Sequence, residues 1–247
     1  MLADPFLVRL MSGFRKPRDP SLGGDVAGIV EAVGANATHV RVGDEVYGAR
    51  TGAFGEFVTT KNVVRKPANL TLEQAAAVPI AALTALQGLR DHGGLQAGQR
   101  VLINGAGGGV GHFAVQIAKA LGAEVTATTR TSKVDAVRAL GADHVIDYTR
   151  EDFSRGDKRF DLVVDMGSRA SLSALRRRLV DGGAFVQVGA TKAGTGVVGR
   201  IIATRVRSTA LKQRVKFYVA KINTDDLDVL REMIEAGKVR PLIERTY

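Results

Sequence analysis

The 247-residue sequence contains no cysteine, which excludes disulfides, a cysteine nucleophile and a thiolate zinc site. Its four histidines, His39, His92, His112 and His144, are scattered without ligand spacing. No histidine-based metal centre is therefore expected, and each reads as a surface or helix-end residue. No apolar run approaches the length that a bilayer span requires. The opening Met1-Leu2-Ala3-Asp4-Pro5 lacks the basic flank and apolar centre of a secretory signal. A soluble, cytoplasmic protein without membrane contact is expected. Aromatic residues make up only 5% of the chain, and no RNA-binding aromatic motif lies among the basic residues.

Basic charge is in excess, with 35 Lys and Arg against 25 Asp and Glu for a net charge of +10. Part of it clusters in Arg176-Arg177-Arg178 and in Arg200, Arg205, Arg207, Lys212, Arg214 and Lys216. A solvated helix face and attraction for a polyanionic cofactor account for such a pattern. RNA binding is the alternative, although net charge alone reports solubility and nonspecific attraction. Hydrophobic residues make up 45% of the sequence, enough for a large core or two modest ones.

The first third reads as β-rich. Strands are expected over 26–34 and 42–48, the second entered through a turn, with shorter pieces at 57–60 and 63–64 closed by Pro67. Short strands with turn signals suggest a small barrel or sandwich. From about Leu72 helices and strands alternate: a helix over 72–89 broken at Pro79, a strand at 101–104, a helix ending near Gly122, and a strand at 124–129. A helix over 132–140, strands at 145–147 and 161–165, a helix over 171–180 and a strand at 184–189 continue the series. Helices at 197–212 and 225–236 flank a strand at 215–220. Repeated β-α-β with apolar strands argues for a parallel sheet covered by helices.

One run carries the chemistry. Val101-Leu102-Ile103-Asn104 is an apolar strand that enters Gly105-Ala106-Gly107-Gly108-Gly109-Val110-Gly111 and then an amphipathic helix, whose apolar face is Val110, Phe113, Ala114, Ile117, Ala118 and Leu121. Such a turn points backbone amides and the positive end of a helix dipole at one spot, and glycine is needed because a Cβ would block a pyrophosphate. The pattern reads as Ala106-x-Gly108-x-x-Gly111, or as Gly105-x-x-Gly108-x-x-Gly111 if the turn is one residue longer. Either reading predicts a dinucleotide site. An NAD site places an acid at the end of the second strand. Here that strand ends Thr128-Thr129-Arg130-Thr131-Ser132-Lys133, with no acid before Asp135. Hydroxyls and cations suit a 2′-phosphate, so NADPH is expected over NADH.

The pieces Gly24-Asp25-Val26-Ala27-Gly28-Ile29-Val30-Glu31, Gly43-Asp44-Glu45-Val46-Tyr47-Gly48 and Gly52-Ala53-Phe54-Gly55-Glu56-Phe57-Val58 resemble the medium-chain dehydrogenase/reductase superfamily. With Gly141-Ala142-Asp143-His144-Val145-Ile146-Asp147-Tyr148 and Phe160-Asp161-Leu162-Val163-Val164-Asp165, the chain is similar to the zinc-free quinone oxidoreductase branch. The resemblance implies an α/β protein: a Rossmann doubly wound parallel sheet plus a partial GroES-like β-barrel domain. It divides the chain into a partial catalytic domain over 1–75, an NADP-binding domain over 76–212 and a return segment over 213–247. It further implies a homodimer that uses NADPH to reduce quinones or other α,β-unsaturated carbonyls. Zinc is not implied, because Gly24-Asp25 stands where zinc-dependent members carry a histidine-glutamate pair.

By the same resemblance Lys133 and Tyr148 would grip the 2′-phosphate beside Arg130 and Thr129, and the amides of Gly108, Gly109 and Val110 would meet the pyrophosphate in a turn to whose cofactor-binding residues Ala106 also belongs. Thr84, Gly189 and Ala190 would line the nicotinamide. Hydride would pass from C4 of NADPH to an electrophilic carbon, with solvent supplying the proton, since no side chain stands out as an essential acid. Phe6, Phe14, Tyr47 and Phe54 are candidates for the edge of an apolar pocket, although most suit a core position equally well. Segments that family members carry before the stretch matching 5–14 and after 244–247 have no counterpart in this sequence. That leaves a nucleotide-binding remnant or sensor without turnover as the alternative reading.

Overall fold

The computed structural model describes residues 22–166, 172–188 and 213–246. Phe6, Phe14, Gly189, Ala190, Arg200, Arg205, Arg207, Lys212 and the helix expected at 197–212 lie outside the described residues. The β-rich third forms an antiparallel sheet of β1 (Asp25–Ile29), β2 (Glu45–Ala49) and β3 (Val63–Arg65), in that order. Gly48 belongs on β2 because a Cβ there would stand 2.0 Å from the Asn62 carbonyl oxygen. The strand expected over 26–34 stops at Ile29. The piece expected at 57–60 is not a strand. The chain just before it is tied as a loop around Leu22 and Gly23, with Gly52 N and Phe54 N donating to their carbonyls, and that bonding takes the place of a ladder.

The helix expected at 72–89 is two helices, α1 (Leu72–Ala76) and α2 (Pro79–Gln87). Thr71 and Gln74 form a reciprocal capping box on α1, and Pro79, which has no N–H to donate, opens α2. A π-helical turn, Gly88–Gly93, carries the chain beyond Leu89.

The second sheet contains β4 (Arg100–Asn104), β5 (Glu124–Thr129), β6 (His144–Asp147), β7 (Phe160–Asp165), β8 (Leu179–Val188) and β9 (Arg214–Tyr218). Their spatial order is β6-β5-β4-β7-β8-β9, and every pair is parallel. The order runs outward from β4 in both directions, so the chain reverses between β4 and β7 and opens a crevice at the carboxyl ends of those strands. Strand β9 lies beyond the boundary expected at 212, yet it pairs with β8 and is the outermost strand on that side among the described residues.

Helices α3 (Gly109–Ala120), α4 (Val134–Ala139), α5 (Leu172–Arg177) and α6 (Thr224–Glu235) complete the described elements. Alternation along each strand fills both faces of the sheet. Val101, Ile103, Val125, Ala127, Leu162 and Val164 join the large core with α2, α3 and α6, whereas Leu102, Val163 and Phe185 pack with Leu175 of α5. Phe160 and Leu162, two residues apart, face opposite ways because the β7–β8 register shifts between them. The helix expected over 171–180 ends at Arg177, since Leu179 pairs with Phe160 and starts β8.

Within Arg176-Arg177-Arg178 the middle residue is exposed, but its two neighbours are not part of a solvated face. Arg178 is buried over the Phe160 ring and donates to the carbonyls of Lys158, Phe153 and Arg155. Arg176 is also buried and binds the Gln213 side chain. No helix of the described residues is long and apolar enough to cross a membrane.

Candidate functional site

The crevice is built on a polar thread through three strand ends. Thr128 Oγ1 donates to Asn104 Oδ1 (2.5 Å), and Asn104 Nδ2 donates to Asp165 Oδ1 (2.7 Å), all three residues being buried. The Gly105 amide donates to Thr128 Oγ1 (3.3 Å), so the thread also fixes the entrance of the turn. Gly105 then turns the chain at φ 90°, a conformation that favours glycine. Within the turn the Ala106 amide is committed to the Thr128 carbonyl (2.9 Å) and the Gly108 amide to the Gly105 carbonyl (3.1 Å). These two amides are therefore already paired, which corrects the expectation that the Gly108 N–H would meet a pyrophosphate. Helix geometry leaves the first-turn amides of Gly109 and Val110 without intrahelical acceptors, at the positive end of α3.

The space above that end is open. A Cβ on Gly109 would meet nothing within 4 Å, whereas one on Gly111 would stand 2.2 Å from the Gly105 carbonyl oxygen. The turn is closed beneath and clear above, which is the shape a dinucleotide phosphate needs, and the residues fit that group.

Thr129, buried at the end of β5, and Lys133 flank the turn closely. A Cβ on Gly107 would come within 2.5 Å of Thr129 Oγ1 and 3.0 Å of Lys133 Cδ. Lys133 Nζ donates to the Gly107 carbonyl (3.2 Å) and pairs with Glu244 (3.1 Å). Tyr148 sits beside Thr129 through its amide (3.1 Å), with its side chain 48% exposed. Arg130 is exposed just before the 3₁₀ turn Thr131–Lys133. The fold thus brings Gly107, Thr129, Lys133 and Tyr148 together. Thr84 stands apart on α2, its hydroxyl donating to the Ile80 carbonyl (2.6 Å) and its carbonyl accepting from the Tyr218 hydroxyl.

Several participants escape a reading of the sequence. His112 is buried rather than a surface residue. Its Nδ1 faces the Gly108 carbonyl (3.2 Å) and its Nε2 accepts from the Leu242 amide (3.2 Å), and burial pushes its pKa down. Asp25 caps α2 by accepting from the Ile80 amide (2.6 Å), while its burial pushes the carboxyl pKa up. Polar Asn104 and Thr128 at the ends of apolar strands were a visible signal. Glu244 offered none.

Of the two described pocket candidates, Tyr47 takes the core alternative. Tyr47 is fully buried with its hydroxyl on the Leu227 carbonyl (2.6 Å), and Phe54 is 81% exposed. Of the other histidines, His39 is exposed, His92 stacks on Tyr218 and His144 lies against Glu124. Among the described residues no group of three or more acidic or histidine side chains gathers to hold a metal.

A glycine turn at the topological switch point of a parallel sheet, with cations beside the second strand, defines a dinucleotide-binding α/β protein. Comparison with known proteins narrows the class. The zinc-binding dehydrogenase family model matches residues 140–247. A mitochondrial NAD(P)H oxidoreductase of Mus musculus is 37% identical over 92% of this chain and 64% of its own length. A 2-methylene-furan-3-one reductase of Solanum lycopersicum is 33% identical over 90% of this chain and 55% of its own length. The solved quinone oxidoreductase of Coxiella burnetii superposes with a TM-score of 0.77 at 30% identity, covering 92% of this chain and 72% of that one. The chain belongs to the medium-chain dehydrogenase/reductase superfamily, with quinone oxidoreductases and enoyl reductases among its relatives. It spans less than two thirds of the length of the two curated relatives named. Members of the superfamily use a nicotinamide cofactor.

Proposed function

We propose that this chain binds NADPH and reduces a quinone or another α,β-unsaturated carbonyl without zinc. The observation that carries the reading is the open glycine turn at the β4–β7 reversal, flanked by Thr129 and Lys133 where β5 ends without an acid. Relatives named for reducing a quinone, for acting on a methylene-furanone and for using NAD(P)H support it.

The chain's own residues would divide the work as follows. The amides of Gly109 and Val110 and the α3 dipole hold a pyrophosphate. Lys133 and Arg130 neutralise a 2′-phosphate, which Tyr148 and Thr129 meet with hydroxyl groups. Thr84 Oγ1 gives its proton to Ile80, which leaves its lone pairs free to accept from a carboxamide N–H. When bound, the nicotinamide supplies a hydride to an electrophilic carbon of the substrate. The remaining proton comes from solvent, and the protein's part is placement and water exclusion. Zinc independence rests on the chemistry of the available donors, since the sequence has no cysteine and its histidines are dispersed.

The test is a fluorescence titration of the 247-residue chain with NADPH and with NADH, followed by NADPH-dependent reduction of a small quinone. NADPH is expected to bind more tightly, and Lys133→Ala is expected to weaken it by about tenfold while sparing NADH, consistent with loss of one charge-assisted contact. Failure of the folded protein to bind either nucleotide would overturn the proposal. Tight binding without turnover would favour a nucleotide-binding protein that does not catalyse.

A further inference from the structure

After α6, Gly237 (φ 70°) ends the helix and the chain turns back along α3. Val239 is buried, and the Arg240 backbone is clasped by one side chain: Gln116 Nε2 donates to its carbonyl (2.9 Å) and its amide donates to Gln116 Oε1 (3.0 Å). One helical turn nearer the glycine loop, His112 accepts from Leu242 N. The spacing matches: four helical residues advance about 6 Å, and two extended residues advance about 7 Å. The next alternate residue therefore overshoots the start of α3. That residue is Glu244, whose carboxylate lies 3.1 Å from Lys133 Nζ, while the same ammonium reaches the Gly107 carbonyl at 3.2 Å. Lys133, with Arg130 adding to the effect, holds the Glu244 carboxyl below the usual range.

We propose that Glu244 is a specificity-determining residue: its carboxylate takes the position on Lys133 that a nucleotide 2′-phosphate requires, and so moderates the preference for NADPH over NADH. The inference rests on the NADPH reading above. A phosphate arriving at Lys133 must either displace this carboxylate or bind beside a like charge, whereas a ribose 2′-hydroxyl faces neither cost. Glu244 is largely exposed and held by one ion pair, so the strap residues Arg240 and Leu242 remain clasped when its side chain swings away. The tertiary fold thus supplies an acid near the second strand that the sequence at 128–134 lacks.

The experiment measures NADPH and NADH dissociation constants for the full chain, Glu244→Gln, Lys133→Ala and the double variant, each checked by thermal melting. Glu244→Gln is expected to tighten NADPH by about two- to fivefold, the range of an exposed ion pair, and to leave NADH unchanged. The gain should shrink at high salt and vanish in the Lys133→Ala background. Equal strengthening of both nucleotides, weaker NADPH binding or an unchanged ratio would overturn the Glu244 inference alone, provided Lys133→Ala still weakens NADPH. If Lys133→Ala leaves NADPH binding untouched, the NADPH reading fails and the inference fails with it.

Discussion

His112 occupies the first turn of α3 with both ring nitrogens engaged, Nδ1 toward Gly108 O and Nε2 toward Leu242 N. The Leu242 amide can only donate, so Nε2 is the unprotonated nitrogen and Nδ1 carries the hydrogen. Burial first, and then the charge of Lys133, hold the pKa below its ordinary 6.5, against the opposing pull of the Gly108 and Gly109 backbone. The unfolded chain takes up this proton more readily than the folded one. Stability from this group is therefore complete above about pH 6.5 and is lost as pH falls below it. His92 is lowered as well, chiefly by burial, so the wild-type profile contains both. We expect His112→Gln to melt with a shallower pH slope than wild type as pH falls below about 6.5, at a pH-independent cost of about 1 kcal/mol. Identical slopes in the two proteins would refute the assignment. Lys133 and Thr129 were legible from sequence because Thr129 ends β5 and Lys133 lies within one turn after it. His112 was not, because the chain that buries it arrives from residue 242.

The glycine turn separates two demands at the scale of an element. Gly111 is where α3 rests on the strand end, and a Cβ there collides with backbone at Gly105 and Ala106. Gly111→Ala is expected to lower stability by about 1–3 kcal/mol, as overpacking does, and to abolish nucleotide binding. Gly109 faces open space, and a helical Cβ tilts toward the amino end, where the phosphate is expected. Gly109→Ala should therefore change stability by less than about 0.5 kcal/mol while weakening NADPH. Thermal melts and titrations of the pair separate these outcomes. Elements whose bonding is local were read well: the turn, the capped and proline-started helices, and the apolar strands of the parallel sheet. Those whose limits depend on a partner were misplaced. Residues 57–60 have a strand-like sequence but no strand partner, and the helix after β7 stops short of its sequence pattern because Leu179 pairs with Phe160.

Across the whole molecule the small sheet is fastened to the larger domain through α6. Tyr47 on β2 buries its ring and donates to the Leu227 carbonyl, while Ala68 N binds Glu235 and the Asn69 side chain binds the Ile234 carbonyl. At the amino end of α6, beside Leu227, Asp226 is buried. Burial raises its pKa, but Asn223, Arg90 and Gln87 outweigh that with hydrogen bonds and hold it down. Tyr47→Phe keeps the packing and removes one buried hydrogen bond, leaving the Leu227 carbonyl without that donor. We expect a loss of about 1–2 kcal/mol, seen as a fall in Tm of about 2–4 °C per kcal/mol for a chain of this size, with NADPH affinity preserved. An unchanged Tm would show that this tether does not hold the two parts together.

The sequence by itself determined the alternation of strand and helix, the glycine turn and the cations behind the second strand. Each of these is a local pattern of apolar periodicity, backbone freedom or charge within a few residues. Only the tertiary structure decided that β9 joins the sheet, that Arg176 and Arg178 are buried supports rather than a surface patch, and that Tyr47 is a buried tether. It also decided that Glu244 meets Lys133. Those outcomes depend on which distant segment covers a side chain. Here that is set by the return of the chain along α3 and by the packing of α6, neither of which leaves a mark in local sequence.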